Sequence, residues 1–156
     1  TYCLAKEAIS LSFSDYLEKK LLDHVFGEGT FSKPSTLKIG LSTTPLQDDG
    51  TGASEPTDPA YAQVVVDNMI YDAGLDVGFW LPAVTAAEGP HEGKGVKASA
   101  VAVEFPEAEQ DWGMITHFFI TDGTNVLGSG HLAQSREVKE GDVVRFKAGE
   151  LMITLD

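Results

Sequence analysis

The sequence predicts a mainly β fold, an antiparallel β-sandwich of jelly-roll type carrying one N-terminal α-helix. Two observations predict it. From Val96 to Asp156, short alternating apolar runs are separated by turn residues: Val101–Phe105, Met114–Ile120, Val126–Leu132, Val143–Phe146 and Leu151–Leu155, broken at Asp111-Trp112-Gly113, Asp122-Gly123, Glu140-Gly141-Asp142 and Ala148-Gly149-Glu150. Strands recurring every 8–12 residues or so with Gly or Asp turns are the pattern of sandwiches and barrels. By contrast, Phe13, Leu17, Leu21 and Val25 fall four apart, with Leu22 and Phe26 beside them, one apolar stripe at helical period.

The elements follow in order. Thr1 to Leu11 reads as an N-terminal arm, and residues 12–156 as a single helix-plus-sandwich domain. Ser12 or Ser14 can cap the helix, Asp15 stands in its first turn, and Gly27 or Gly29 can stop it. That helix is expected to pack across a sheet face or into a neighbouring subunit. Leu37, Ile39 and Leu41 alternate with Lys38, Gly40 and Ser42, which is a half-buried strand. Thr43 to Ala60 is a long loop rich in Pro, Asp and Gly, a length often tied to binding or interfaces. Tyr61–Val66 reads as a strand. Asn68–Ala87 is irregular and holds the bulky cluster Phe79-Trp80-Leu81, and Glu88–Gly95 is a second loop. Phe118 and Phe119 are neighbours on one strand and so point to opposite faces. One belongs to the core; the other needs cover from the helix, a loop or another subunit, which argues for self-association.

At 156 residues the chain can bury about 68–70% of its unfolded surface, enough for a core without staples. The net charge of −13 excludes a phosphate-tracking basic stripe, so nucleic acid is not an expected partner. Nor is an anionic membrane, and no run approaches the roughly 18 apolar residues of a membrane span. Cys3 is the only cysteine and reads as a free thiol. The first ten residues lack the apolar core of a secretory signal, and a start at Thr1 suggests removal of an initiator Met after cytoplasmic synthesis.

No catalytic site assembles from these residues. Gly50-Thr51-Gly52 and Gly93-Lys94-Gly95 do not continue into a phosphate-binding motif. Asp48, Asp49, Glu55 and Asp58 lack calcium-loop spacing and read as a solvated acidic loop, although a weakly bound cation in an interface stays open. His24, His91, His117 and His131 show no helical ligand spacing. His117 and His131 can face each other across the Asp122-Gly123 hairpin, and a cross-strand pair without metal is the preferred reading. Gly128-Ser129-Gly130-His131 is not a nucleophile elbow but a Gly-rich edge or bulge. Trp112, at a tight corner, should plug one end of the core. Trp80 is either core or a sugar-stacking or partner-anchoring ring, with core packing preferred.

Three segments carry a resemblance. They are Ser14-Asp15-Tyr16-Leu17-Glu18 through Leu21-Leu22-Asp23-His24-Val25-Phe26; Leu37 to Thr43; and Asp111-Trp112-Gly113-Met114-Ile115-Thr116-His117-Phe118, with the ending Gly141-Asp142 … Ala148-Gly149-Glu150-Leu151. In that order they resemble a family of small tailed-bacteriophage virion proteins, tail-fibre-like or minor structural proteins, over roughly Leu11 to Asp156. The Asn68–Lys97 stretch is longer and more irregular than that pattern. The resemblance implies a virion component without enzymatic activity or cofactor. The first expectation is a capsid decoration (cement) protein that binds the major capsid protein and itself, as a homotrimer. The alternatives are a tail or tail-fibre-attachment protein contacting tail proteins, or a receptor- or glycan-binding module. The contact residues expected are Tyr2 and Leu4 of the arm, Asp48, Asp49 and Glu55 of the loop, and Tyr61, Phe79 and Trp80.

Overall fold

A computed structural model describes residues 2–4 and 9–155. The chain is mainly β with one helix, as the sequence predicts. Its elements are β1 (Tyr2–Cys3), β2 (Ile9–Phe13), α1 (Asp15–Phe26), β3 (Thr36–Ser42), β4 (Val64–Asp67), β5 (Val84–Thr85), β6 (Gly95–Ala98), β7 (Val103–Glu104), β8 (Gly113–Thr121), β9 (Val126–Val138), β10 (Val144–Phe146) and β11 (Leu151–Leu155). Eight strands form one curled sheet in the order β4-β3-β8-β9-β2-β11-β6-β5, and β1-β10-β7 form a small second sheet. Most pairings are antiparallel. Among the described strands, the parallel pairings of β1 with β10 and of β2 with β11 bring the N-terminal strands alongside the C-terminal ones.

Two sequence expectations change here. The described part of the expected arm lies inside the sheets: Leu4 is 1% exposed, and β2 sits between β9 and β11. Ile9, Leu11 and Phe13 alternate with Ser10 and Ser12, a period-two signal that ends where the helical stripe begins. The helical segment read over Ser12–Phe26 accordingly starts at Asp15, after Ser14, the second of the two expected caps. Ser14 is its cap: its Oγ accepts from Leu17 N (3.3 Å) and donates to Val126 O (2.6 Å), so the cap also ties the helix to β9. Asp15 and Glu18 occupy the first turn, where the helix dipole favours negative charge. No described helix is long and apolar enough to cross a membrane.

The core lies between the curled sheet and the small one. Phe118 of β8 meets Phe146 of β10 edge-on at 5.5 Å, and Phe146 meets Phe105 at 6.5 Å. Leu37, Ile39 and Leu41 of β3 face the same interior. Phe119 faces the other way, as alternation demands, and is nevertheless buried. Its cover comes from its own chain, not a second copy. Gly40 is its partner on β3, and a Cβ there would overlap the Phe119 ring. On the same face Ser42 is fully buried, and its Oγ accepts from Thr44 N and Ser54 N of the 43–60 loop. Gly40→Ala is expected to overpack this site and cost about 1–3 kcal/mol in a urea unfolding measurement.

The curled sheet nearly closes on itself. The chain leaving β4 pairs through Ile70 with Trp80, and Trp80 pairs on its other side with Ser99, just after β6. Tyr71 N donates to Trp80 O and Leu81 N to Ala98 O, both at 2.9 Å. Residues 68–85 therefore form a seam where the two edges of the sheet approach each other. Single-residue bridges hold this seam, in place of a continuous ladder.

Candidate interaction surface

Of the residues expected to make partner contacts, Leu4, Phe79 and Trp80 are internal, Glu55 and Tyr61 are half-buried, and Asp48 and Asp49 are exposed. Tyr2 pairs through its backbone with Val144, and its side chain lies outside the described residues. Leu4 is core. Phe79 and Trp80 pack edge-on at 4.7 Å, and Trp80, at 3% exposure, donates from Nε1 to Asn68 Oδ1 (3.0 Å). A ring so enclosed cannot stack on a sugar, and the preferred core reading of Trp80 holds. Tyr61 is likewise a structural node. It stacks on Phe105, meets Trp112 edge-on at 5.3 Å, accepts from Leu41 N (2.9 Å) and donates to Glu55 Oε1 (2.7 Å). Burial, above all, raises the Tyr61 pKa far beyond the ordinary phenol value, and the neighbouring Glu55 carboxylate adds to the rise. Glu55 also accepts from Gln63 Nε2, which commits it to the loop's own structure.

The acidic loop divides by role. Asp48 and Asp49 are exposed. Asp49 Oδ1 accepts from Thr51 N and Oγ1, an Asx turn whose bonds hold its pKa below the usual value. Asp58 departs from the solvated-loop expectation: it is 4% exposed and works as an internal clamp. Oδ2 accepts from Glu109 N (2.8 Å), Gln110 N (3.1 Å) and Trp112 Nε1 (2.8 Å), while Oδ1 accepts from Ala60 N (2.9 Å). Burial pushes its pKa up, but these bonds outweigh that and keep it below the normal carboxylate value. No group of three or more potential metal ligands occurs among the described residues.

The Asp111-Trp112-Gly113 corner completes the clamp. Trp112 is buried as the plug its position suggests, Asp111 Oδ1 accepts from Glu140 N, and Gly113 takes the left-handed conformation at φ 79°. This corner, one of the segments that carry the sequence resemblance, is thus a structural knot. The Gly128-Ser129-Gly130 run is also structural: a Cβ at Gly128 would overlap Ser12 O and the Leu11 side chain of β2. His117 and His131 are direct partners on β8 and β9, as the hairpin predicts. Burial and the nearby His131 lower the His117 pKa.

What the surface offers instead is apolar. The seam exposes Met69, Ile70, Leu75, Val77, Leu81 and Val84, with Leu75 at 72%. Helix α1 buries none of its residues fully, and its last turns present Leu22, Val25 and Phe26, the last at 83% exposure. A groove of about 430 Å³ next to the seam is lined by Val84, Ala86, Glu88, Pro90, His91, Val96 and Met152. Single exposed hydrophobics are ordinary, but runs of them along one segment mark interaction surfaces. The helical stripe was legible in the sequence; the seam was not, because its apolar residues follow neither a helical nor a strand period.

No curated protein matches the chain. The family model described as Podophage GP4 fiber I protein gp80 matches residues 12–154, almost the full length. The match spans the helix, the clamp, the seam and every strand except β1, most of β2 and the last residue of β11. The chain belongs to this family of phage fibre proteins and is a structural component of the virion.

Proposed function

We propose that the protein is a fibre-attachment component on the tail side of a podophage particle, docking on neighbouring tail proteins or on its own copies through the apolar seam and the end of α1. The family match carries this reading, because a fibre family favours the tail alternative over capsid cement. The surface supports it: a folded chain that leaves Leu75 and Phe26 in water has apolar area to bury against a partner. The acidic balance of −13 keeps a protein displayed on a particle soluble. The role is mechanical and requires no reaction.

Copy number tests the reading. Purified particles are expected to hold a few to about a dozen copies, as a symmetric tail assembly would, against hundreds of major capsid subunits. A ratio approaching one per capsid subunit returns the protein to the head. A second expected outcome concerns the surface itself. Phe26→Asp and Leu75→Asp should leave the melting temperature within a few degrees of the native value, because both side chains already face water. Both should reduce incorporation into particles in a complementation assay. Normal incorporation of both variants would remove these surfaces from the assembly.

A further inference from the structure

We propose that His117 and His131 form a two-imidazole chelate for a divalent transition-metal cation of the zinc or copper type, a role independent of particle attachment. The two residues are direct partners in the β8–β9 ladder. Antiparallel partners project from the same face with Cβ atoms about 4.5–5.5 Å apart. Two imidazoles at that spacing can reach one ion at the roughly 2.0–2.1 Å of a zinc–nitrogen bond.

Each ring has an oxygen beside Nδ1 that suits the tautomer with Nε2 free to ligate. His131 Nδ1 lies 3.2 Å from Leu132 O. A carbonyl only accepts, so Nδ1 carries the proton and Nε2 keeps its lone pair. His117 Nδ1 lies 2.7 Å from Thr116 Oγ1, a hydroxyl that accepts from Nδ1–H in the tautomer whose Nε2 carries the lone pair. A backbone or side-chain oxygen behind the non-ligating nitrogen is the support that metal-bound histidines regularly use. His131 is exposed and His117 partly so, which lets water fill the remaining coordination positions. No third His, Cys, Asp or Glu joins the pair among the described residues, so the site is open, unlike a closed four-ligand structural centre. Imidazole donors select zinc, copper or nickel over calcium and magnesium. The ladder shifts register between Ile115 and His117, so an ion held here would pin the hairpin beside its interruption.

The test is a zinc titration of the tag-free full chain, followed by calorimetry and by NMR of the imidazole protons. Saturable binding of one ion per chain is expected, with the His117 and His131 signals shifting together and those of His24 and His91 staying in place. His117→Gln and His131→Gln should each weaken binding by about tenfold or more. The melting temperature of the native chain should rise with zinc and that of either variant should not. Should a variant fold poorly, the imidazole shifts of the native chain decide the matter alone. No saturable binding, or shifts confined to His24 and His91, overturns the proposal.

Discussion

Replacing Phe118 with alanine is expected to destabilise the protein by about 3–5 kcal/mol, which lowers the melting temperature of a chain this long by about 10 °C or more. Phe118 is fully buried on the inner face of β8, and its ring meets Phe146 of the small sheet. Truncation removes apolar burial and leaves a cavity between two sheets whose backbones cannot move together to fill it. The pair also carries an edge-on aromatic contact worth about 0.5–1.5 kcal/mol, so a double-mutant cycle with Phe146→Ala should show coupling of that order. Additive losses would mean that the two sheets do not meet through these rings. Urea unfolding followed by fluorescence reads both quantities. The adjacent Phe119 serves as the control. Its cycle with Phe146 should show no coupling, because it points away from the small sheet.

What the sequence made legible is what local periodicity encodes. The apolar runs Met114–Ile120 and Leu151–Leu155, bounded by turn residues, became β8 and β11, and the apolar stripe over Leu17 and Leu21 became α1. β2 was present as an alternation but hidden, because Phe13 serves two periods at once: it closes the strand and aligns with the helical stripe. Long-range pairing left no such trace. Nothing local distinguishes an arm from a strand that inserts between β9 and β11, since its partners lie at the far end of the chain. The same limit separates Asp58 from its neighbours. Asp49 bonds to Thr51, two residues away, whereas Asp58 reaches the Glu109–Trp112 corner. In a list of loop acids the two look alike; only the fold shows that one is a turn and the other a clamp.

Asp58→Asn is therefore expected to lower the melting temperature at pH 7 by on the order of 5–10 °C, although the two side chains have the same shape. An amide offers one oxygen where the carboxylate offers two. Either Ala60 N or the trio of Glu109 N, Gln110 N and the buried Trp112 Nε1 must then face an NH₂ group, leaving donors at least partly shielded from water without an acceptor. The effect should also depend on pH in a defined direction. The folded-state pKa of Asp58 lies below its ordinary value of 3.8, so the unfolded chain takes up the proton first as pH falls. The stability that the carboxylate contributes is complete above that value and is lost as pH falls through the folded pKa. The gap in melting temperature between native and Asp58→Asn proteins should hold constant from about pH 7 to pH 5, then narrow below about pH 4. Asp49, Asp111 and Asp122 also have lowered pKa values, but they are present in both proteins and cancel in the difference. A gap that stays constant down to about pH 3 would show that the ionised carboxylate is not what holds the 43–60 loop to the Trp112 corner. Exposure of the Trp112 ring in the variant at pH 7, read by fluorescence quenching, would show directly that this clamp seals that end of the core.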